Sequence, residues 1–293
     1  MTTKRDLAIL LQLNDFSMDC KTDLKYPKQF HSHPGYELVW MMEGEAQYSF
    51  EDKVYQVTGG QLLVFKGSAL HKVHVHPGHA YKRCVIHFTR HFFAFEQEVY
   101  EEFQRMLDRL ESPHFLLALE DRDAGVFQGI IDRLYKENQS DDLWGKKGAI
   151  QIYLLELLLF VCREFRHKRP GTERSVQGPS DRVDMLEAVL RELNAVWNTA
   201  WSLEGLAGRL HMNKFYLCHF FKKEVGVTIQ QYILQKRFHE AQKLLINTDM
   251  PVREVAAAVG FVSDSNFIRS FKKQMKTTPK HFRESAARQD YKL

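Results

Sequence analysis

The segment HSHPGYE at residues 31–37 contains three side chains that could bind a metal ion or a polar ligand. His31 and His33 are one residue apart, and Glu37 follows four residues after His33. Alternate residues of a strand share a face, so both imidazoles would point to the same side. His71 is in phase with the valines that follow it, which predicts an inward side chain. Such groups can bind Fe, Mn, Zn or Ni, and they can equally form a hydrogen-bonding pocket.

The residues up to about position 90 must position these groups, and their pattern is that of short strands. Turn pairs at Glu43-Gly44, Glu51-Asp52, Gly59-Gly60 and Gly67-Ser68 separate the alternating segments ELVWMM, AQYSF, VYQV, LLVF and KVHV. Several short strands at close, regular spacing predict a small β-barrel. On the same parity argument, His74 and His76 face away from the interior, and His79 belongs to a loop.

Beyond residue 92 the pattern becomes helical. Apolar residues recur at helical spacing over 95–110, and further helices are predicted over 123–137 and 143–167. The segment KRPGTERSVQGPSD contains two prolines and two glycines without apolar periodicity, which is typical of a linker. We therefore predict an α+β multidomain chain. It has a small β-barrel with appended helices at 1–168, a linker at 169–180 and an all-α domain with two helix-turn-helix units at 181–293.

Charge and composition limit the function classes. Residues 181–293 contain 18 Lys and Arg against 12 Asp and Glu, so the whole basic surplus of the chain lies there. This asymmetry favours a polyanionic partner, with a solvated basic surface as the alternative. The apolar stretch LLELLLFV is too short to span a membrane, so we expect a cytoplasmic protein without a membrane partner. The four cysteines are scattered, which favours reduced thiols. Walker and dinucleotide motifs are absent from the sequence.

The last third contains an internal repeat. LAGRLHMNKFYLCHFFKKEVGVT begins at Leu206, and VAAAVGFVSDSNFIRSFKKQMKTT begins at Val255. Each copy predicts a short helix, a tight turn and a second helix that starts at an N-cap, Asn213 or Ser263. That is a helix-turn-helix unit. The segment 228–248 between the copies predicts a helix of about eighteen residues, roughly 27 Å long. It could hold the two units about one DNA turn apart. A helical bundle with incidental lysines is the alternative.

The stretch from SLEGLAGRL through GFVSDSNFIRSFKKQMKTTPKHFRES resembles the DNA-binding domain of AraC/XylS-type transcription regulators. GF at 260–261, F.RSFKK at 267–273 and TP..FR at 278–283 carry most of the likeness. The resemblance implies that two reading helices enter successive major grooves, with base contacts from Phe215, Cys218, His219, Ser265, Asn266 and Arg269. It leaves phosphate contacts to Lys214, Lys222, Lys223, Lys272 and Lys273. Because Lys276 stands where the first copy has Gly226, we expect the second reading helix to end differently.

Residues 25–90 resemble a second family, the cupins. The spacing HxHxxxExxxxxxG runs from His31 to Gly44, and Gly60 and His71 are eleven residues apart. Lys66 and Ser68 stand where cupins usually have proline and glycine. AraC/XylS regulators commonly carry such a barrel as a sensor, which implies that His31, His33, Glu37 and His71 bind a small ligand. Metal binding by the same four residues is the alternative, and we expect no cofactor.

The sequence therefore predicts a sequence-specific DNA-binding transcription regulator and not an enzyme. It would respond to a small molecule, with a sugar as one candidate, and bind double-stranded DNA as a homodimer. RNA polymerase is a further candidate partner. The rival is a metal-dependent cupin enzyme fused to a DNA-binding domain. A third hypothesis is a DNA-binding protein whose barrel serves only for dimerisation.

Overall fold

The computed structural model describes residues 15–21, 29–75, 80–93, 98–110, 113–141, 144–168 and 181–290. The chain divides into two compact units, one containing most residues up to 180 and one containing the residues from Asp181 onward. The first unit is an antiparallel sheet with helices, and the second is helical. The predicted fold class is therefore confirmed. The linker at 169–180, together with His76 and His79, lies outside the described residues.

The first unit is built on a seven-stranded antiparallel sheet. Its strands are β1 (Phe16–Lys21), β2 (Tyr36–Ser49), β3 (Val54–Thr58), β4 (Gln61–Lys66), β5 (Lys72–His74), β6 (Tyr81–Phe88) and β7 (His114–Ala118). The main order is β1-β6-β2-β4-β7, and β3 and β5 pair with the second half of β2. The five predicted strand segments are present and form four strands, β2 to β5, whereas β1, β6 and β7 had no predicted counterpart. β2 is the central element, because four other strands pair with it.

A bulge in β2 replaces the turn expected at Glu43-Gly44. The segments ELVWMM and AQYSF form one continuous strand, and its register with β6 shifts between Met41 and Glu43. Gly44 has φ +85°, and a Cβ atom there would overlap the carbonyl oxygen of Ala80. Only glycine tolerates both conditions without strain. Because the bulge adds one residue, odd-numbered side chains before it and even-numbered ones after it pack in the same cluster.

The two faces of the sheet have different partners. Residues such as Leu38, Trp40 and Ile86 pack against the helices α1 (Glu98–Asp108), α2 (Asp121–Gln139) and α3 (Lys146–Lys168). The other face contributes side chains from β2 through β6 to a second, separate cluster. The sheet therefore curls around its own interior, and residues on that inner face can converge on one site.

Cys20 and Cys84 form a disulfide between β1 and β6. The two residues are directly opposite in the strand register. The expectation of four reduced thiols is therefore wrong for this pair, because their contact depends on the pairing of strands 64 positions apart in sequence. Cys162 and Cys218 are free thiols.

The second unit consists of seven helices among residues 181–290. They are α4 (Asp181–Val196), α5 (Leu203–Arg209), α6 (Lys214–Val225), α7 (Ile229–Asn247), α8 (Val252–Ala258), α9 (Asp264–Met275) and α10 (Pro279–Asp290). The predicted connecting helix is α7, which begins at a capping box formed by Thr228 and Gln231. The repeat thus gives two helix-turn-helix pairs, α5–α6 and α8–α9.

The second helices of the two helix-turn-helix pairs, α6 and α9, end in the same way, contrary to the expectation from Lys276. Gly226 follows α6 with φ +72°, and Lys276 follows α9 with φ +60°. Both are left-handed C-caps, which glycine adopts freely and lysine adopts at a cost. The shared end geometry therefore overrides the local preference of Lys276. Within the described ranges, we find no helix long and apolar enough to cross a bilayer.

Candidate functional site

The predicted reading helices, α6 and α9, are oriented by their caps and by their apolar faces. The Asn213 side chain accepts a hydrogen bond from the Phe215 backbone N–H at 2.9 Å, and Ser263 caps α9 in the same manner. The buried face of α6 includes Leu217, Phe220 and Phe221, and that of α9 contains Phe267 and Phe271. Both predicted N-caps are therefore confirmed, and each helix turns its opposite face to solvent.

On α6 the predicted base-contacting residues lie on the solvent-facing side. Phe215 is 74% exposed, His219 is exposed and Cys218 is half-buried. Tyr216, which was not predicted to contact DNA, is 53% exposed beside them. Two exposed aromatic rings next to each other are unusual on a solvated helix. Helical spacing gave no signal for Tyr216, because it stands one turn before the buried Phe220 and so on the same side of the helix.

On α9 the predicted readers are also exposed and are more polar. Ser265, Asn266 and Arg269 all face solvent. Arg269 Nη2 donates a long hydrogen bond to Asn266 Oδ1 at 3.4 Å, so the two side chains lie side by side. Ile268, which the sequence analysis left out, is 38% exposed between them. Arg269 keeps several N–H groups for an outside acceptor, because a guanidinium has five donors.

Four of the five predicted phosphate-binding lysines are exposed at the ends of these helices, namely Lys222, Lys223, Lys272 and Lys273. The fifth is engaged within the protein, because Lys214 Nζ donates to Glu204 Oε1 at 2.8 Å. That hydrogen bond raises the pKa of Lys214 and lowers the pKa of Glu204. Surface ion pairs are weak, so Lys214 can exchange Glu204 for a phosphate only at a small cost.

Arg237 on the connecting helix fixes the second helix-turn-helix turn. Its guanidinium donates to the carbonyl oxygens of Trp197 at 2.6 Å, Gly260 at 2.7 Å and Thr199 at 3.0 Å. Gly260 has φ +82°, and a Cβ atom there would lie 2.6 Å from the Asn198 carbonyl oxygen. Glycine at position 260 is therefore required by backbone geometry.

Arg283 also binds backbone carbonyl groups, near the C-terminal end of α7. It donates to the carbonyl oxygens of Leu245 at 3.0 Å and Met250 at 2.5 Å. Both carbonyls lie where α7 ends and the second copy begins. The two arginines thus fix the second helix-turn-helix pair relative to the connecting helix.

The inner face of the sheet contains a second cluster of functional side chains. Glu37 Oε2 lies 2.8 Å from His33 Nε2, 2.9 Å from His87 Nε2 and 3.5 Å from His71 Nε2. None of the four side chains is more than 8% exposed. Three imidazoles therefore surround one carboxylate oxygen inside the first unit.

Strand register and tight turns bring this cluster together. Glu37 on β2 and His87 on β6 are direct cross-strand neighbours. His33 precedes β2 and is fixed by its backbone N–H, which donates to the Gly67 carbonyl at 2.9 Å. A Cβ atom at Gly67 would overlap the His33 ring, so the glycine makes room for the imidazole. His71 lies just before β5, and its Nδ1 atom is 2.8 Å from the Ala69 carbonyl oxygen.

The histidines determine the charge state of Glu37. Burial alone would raise its pKa, but the charge of His87 and hydrogen bonds from His33, His71 and His87 hold it well below the usual range. Burial lowers the pKa of His71, although Glu37 partly opposes this effect. The centre of the cluster is therefore an ionised carboxylate, and His71 is neutral near pH 7.

The structure brings together three of the four predicted ligand-binding residues. His31 is not among them, and its Nδ1 atom lies 3.2 Å from the Gln29 carbonyl oxygen. His87 stands in the cluster instead and had not been predicted. The available signal was the alternation in YKRCVIHF, where the apolar even positions pack on the helices and leave His87 on the inner face.

Further polar groups line the same inner face. The hydroxyl groups of Tyr48 and Tyr81 are 2.9 Å apart, and the Arg83 guanidinium stacks 4.7 Å from the Tyr81 ring centroid. All three residues are buried. The interior thus offers hydroxyl, guanidinium, imidazole and carboxylate groups, which suits a polar ligand better than an apolar one.

Comparison with known proteins gives two family matches. Residues 206–285 match the model of a helix-turn-helix domain, and residues 19–143 match the model of the AraC-like ligand binding domain. The first match contains α6 and α9, and the second contains the histidine cluster.

Curated relatives match over different shares of the chain. RhaR of Cronobacter sakazakii, an HTH-type transcriptional activator, is 24% identical over 89% of this chain and 89% of its own length. PqrA of Proteus vulgaris, a probable transcription factor, is 34% identical over 32% of this chain and 76% of its own length. YtdP of Bacillus subtilis, an HTH-type transcriptional regulator, is 41% identical over 39% of this chain, which spans only 15% of YtdP.

Proposed function

Because the chain belongs to the AraC family of transcriptional regulators, with a ligand-binding and a DNA-binding domain, we propose that α6 and α9 read bases in successive major grooves of one duplex. The observation that carries this proposal is the matched exposure of the two helices, each buried on its phenylalanine face and open on the other. The clamps at Arg237 and Arg283 support it, because bipartite reading needs a fixed separation.

The two reading helices would contribute differently. On α9, Arg269 supplies a bidentate donor for guanine, with Ser265 and Asn266 as smaller polar readers. On α6, Phe215 supplies an apolar contact for a thymine methyl group, and Cys218 and His219 add weak polar contacts. The second helix-turn-helix therefore provides most of the hydrogen-bonded discrimination, and the first provides contact area.

A pair of variants on α9 tests the reading role. Arg269→Ala should cost about 1–3 kcal/mol at one base position and little at others. Lys273→Ala is the matched control, since it should weaken binding to all sequences alike and reduce the salt dependence by about one counterion. Fluorescence anisotropy on a panel of single-base variants measures both. Equal weakening by Arg269→Ala on every sequence would reassign that residue to phosphate.

The first unit would bind the small molecule that controls DNA binding. Its buried polar groups, including Tyr48, Tyr81 and Arg83, support a small oxygen-rich effector such as a sugar. A thermal-shift screen of sugars and metabolites on the full chain should find a compound that raises the Tm. The conservative variant Tyr48→Phe, which removes one hydroxyl, should weaken that shift. If no compound changes the Tm or DNA affinity, the unit is a scaffold without a sensor role.

The protein would act as a homodimer and would contact RNA polymerase when bound near a promoter. Apolar side chains exposed on the helical layer of the first unit support the dimer, with Ile152 65% and Val126 51% exposed. Sedimentation velocity should show a dimer that Ile152→Glu dissociates. A monomer at all concentrations would contradict this part of the proposal.

A further inference from the structure

The two helix-turn-helix pairs are held in place by different kinds of contact. In the second pair, Arg237 and Arg283 donate to backbone carbonyl groups, including those of Gly260 and Met250. In the first pair, ion pairs between side chains join the helices. These are Glu192 on α4 with Arg209 on α5 at 2.6 Å, Glu204 on α5 with Lys214 on α6 at 2.8 Å, and Arg182 on α4 with Glu224 on α6 at 2.6 Å. The contact between α4 and α6 therefore includes ionised side chains.

The pair of Arg182 with Glu224 differs from the other two in burial. The side chain of Glu224 is only 8% exposed, whereas those of Glu192 and Glu204 are 34% and 67% exposed. An exposed ion pair contributes little to stability, but a buried carboxylate that loses its cation is strongly disfavoured. Of the three ion pairs, this one should therefore matter most for the position of α6.

The place of Glu224 on its helix increases its need for a cation. It lies in the last turn of α6, which ends at Val225. The carbonyl groups at the C-terminal end of a helix carry a partial negative charge, which opposes a carboxylate there. Lys222 and Lys223 belong to the same turn, but both are exposed. The guanidinium of Arg182, which donates from Nη2 to Glu224 Oε1 at 2.6 Å, reaches the buried carboxylate from α4.

The internal repeat shows that a buried acid is not a general need of this helix pair. The offset that pairs Phe221 with Phe271 pairs Glu224 with Gln274. Gln274 is neutral and exposed. The second copy therefore forms the same two helices, with the same left-handed end, without a carboxylate at this position. The buried acid is specific to the copy that α4 precedes, which indicates that it serves the contact with α4.

We propose that Arg182 is a positioning residue that holds the C-terminal end of α6 through Glu224 and so orients the first reading helix, but not the second, for base contact. Arg182 is the second residue of α4, which begins directly after the predicted linker at 169–180. The contact thus joins the first reading helix to the point where the linker enters the DNA-binding unit. The inference rests on the proposed function, because it assumes that α6 reads DNA.

Native-state hydrogen exchange on the full chain tests the contact without DNA. In Arg182→Gln, amides of α6 should exchange about 10- to 100-fold faster, because a buried carboxylate loses its cation, while amides of α9 keep their protection. Arg182→Lys keeps the charge and should restore most of the protection of α6. Arg191→Gln is the matched control, since Arg191 is an exposed arginine on the same helix and its loss changes the net charge equally.

A second substitution separates the ion pair from simple packing of the arginine side chain. Glu224→Gln gives the first copy the residue type that the second copy carries at this position. In the Glu224→Gln background, Arg182→Gln should change the exchange of α6 little, because no carboxylate remains to be compensated. An equal acceleration with and without Glu224→Gln would overturn the proposal. So would an acceleration in Arg182→Gln that is the same in α6 and α9.

Selection from a random duplex library measures the effect on DNA reading. In Arg182→Gln, the block that Arg269→Ala leaves intact should lose sequence information, and the block read by α9 should be kept. Arg191→Gln should keep both blocks. An intact α6 block in a variant whose α6 amides exchange faster would refute the positioning role and leave the reading helices as proposed. A wild-type chain that selects no bipartite motif would contradict the proposed function, while the exchange experiment would still decide whether Arg182 holds α6.

Discussion

Replacing Gly260 with alanine should selectively destabilise the second helix-turn-helix. An alanine Cβ would lie 2.6 Å from the Asn198 carbonyl oxygen and 2.9 Å from Arg237 Nη2, both closer than real contacts allow. A left-handed backbone costs a non-glycine residue about 1–2 kcal/mol. Displacing Arg237 Nη2, which donates to the Thr199 carbonyl oxygen, adds about 1.5–3 kcal/mol, because the hydrogen bond is charge-assisted. Alanine recovers about 0.5–1 kcal/mol through the unfolded chain. The expected net loss is about 3 kcal/mol.

Native-state hydrogen exchange on the full chain measures this loss where it occurs. Amides of α8 and α9 should exchange about 100-fold faster in Gly260→Ala, while those of α1 to α3 keep their protection. Gly208→Ala is the matched control. Gly208 lies on α5 with no neighbour within 4 Å of an added Cβ, so alanine should be neutral or stabilise by up to about 1 kcal/mol. An unchanged exchange rate in Gly260→Ala, or an equal effect at Gly208, would refute the steric argument.

Three other perturbations test separate parts of the account. Lys276→Gly should raise the free energy of unfolding, measured by chemical denaturation, by about 0.5–1 kcal/mol, because glycine adopts the left-handed backbone at this helix end without Cβ strain. A lower free energy of unfolding would contradict the left-handed conformation at position 276. A thiol reagent at pH 8 should modify Cys218, and bound DNA should block that reaction. Cys162 should stay unmodified, because burial raises its pKa to about 12. Mass spectrometry that finds Cys162 modified before Cys218 would contradict this prediction. Burial lowers the pKa of Lys72 to about 8, so the folded protein holds this proton less tightly than the unfolded chain does. The free energy of unfolding should therefore rise as the pH increases from about 8 to 10.5. Lys72→Met should abolish that rise with pH and increase the free energy of unfolding at pH 7 by about 1–2 kcal/mol. If the dependence of stability on pH is the same in the variant, Lys72 is not its source.

The helical unit could be predicted from sequence because its determinants are local. The caps at Asn213 and Ser263, the phenylalanine stripes and the capping box of α7 all act within one or two helical turns. The end of α9 was the exception, since the left-handed geometry at Lys276 is imposed by the repeat and not by the preference of the residue.

The inner site of the sheet could be predicted only in part because strand register is not local. His33, Glu37 and His71 were found from spacing and parity. His87 joins them only through the pairing of β2 with β6, as Cys20 meets Cys84 only through the pairing of β1 with β6. The bulge between Met41 and Glu43 reverses the parity of β2, and Gly44 beside it approaches Ala80 too closely for a Cβ atom. The alternation in YKRCVIHF gives the face on which His87 lies, but no local pattern gives the strand that pairs with it.

Selection of bound sequences from a random duplex library tests the central claim most directly, because it asks whether two separate grooves are read. The account predicts a bipartite motif for the wild-type chain, with two conserved blocks about 10 base pairs apart from centre to centre. In Arg269→Ala one position of one block should become degenerate while the other block is kept. Enrichment of a single block, or of no motif at all, would contradict reading by a pair of helices.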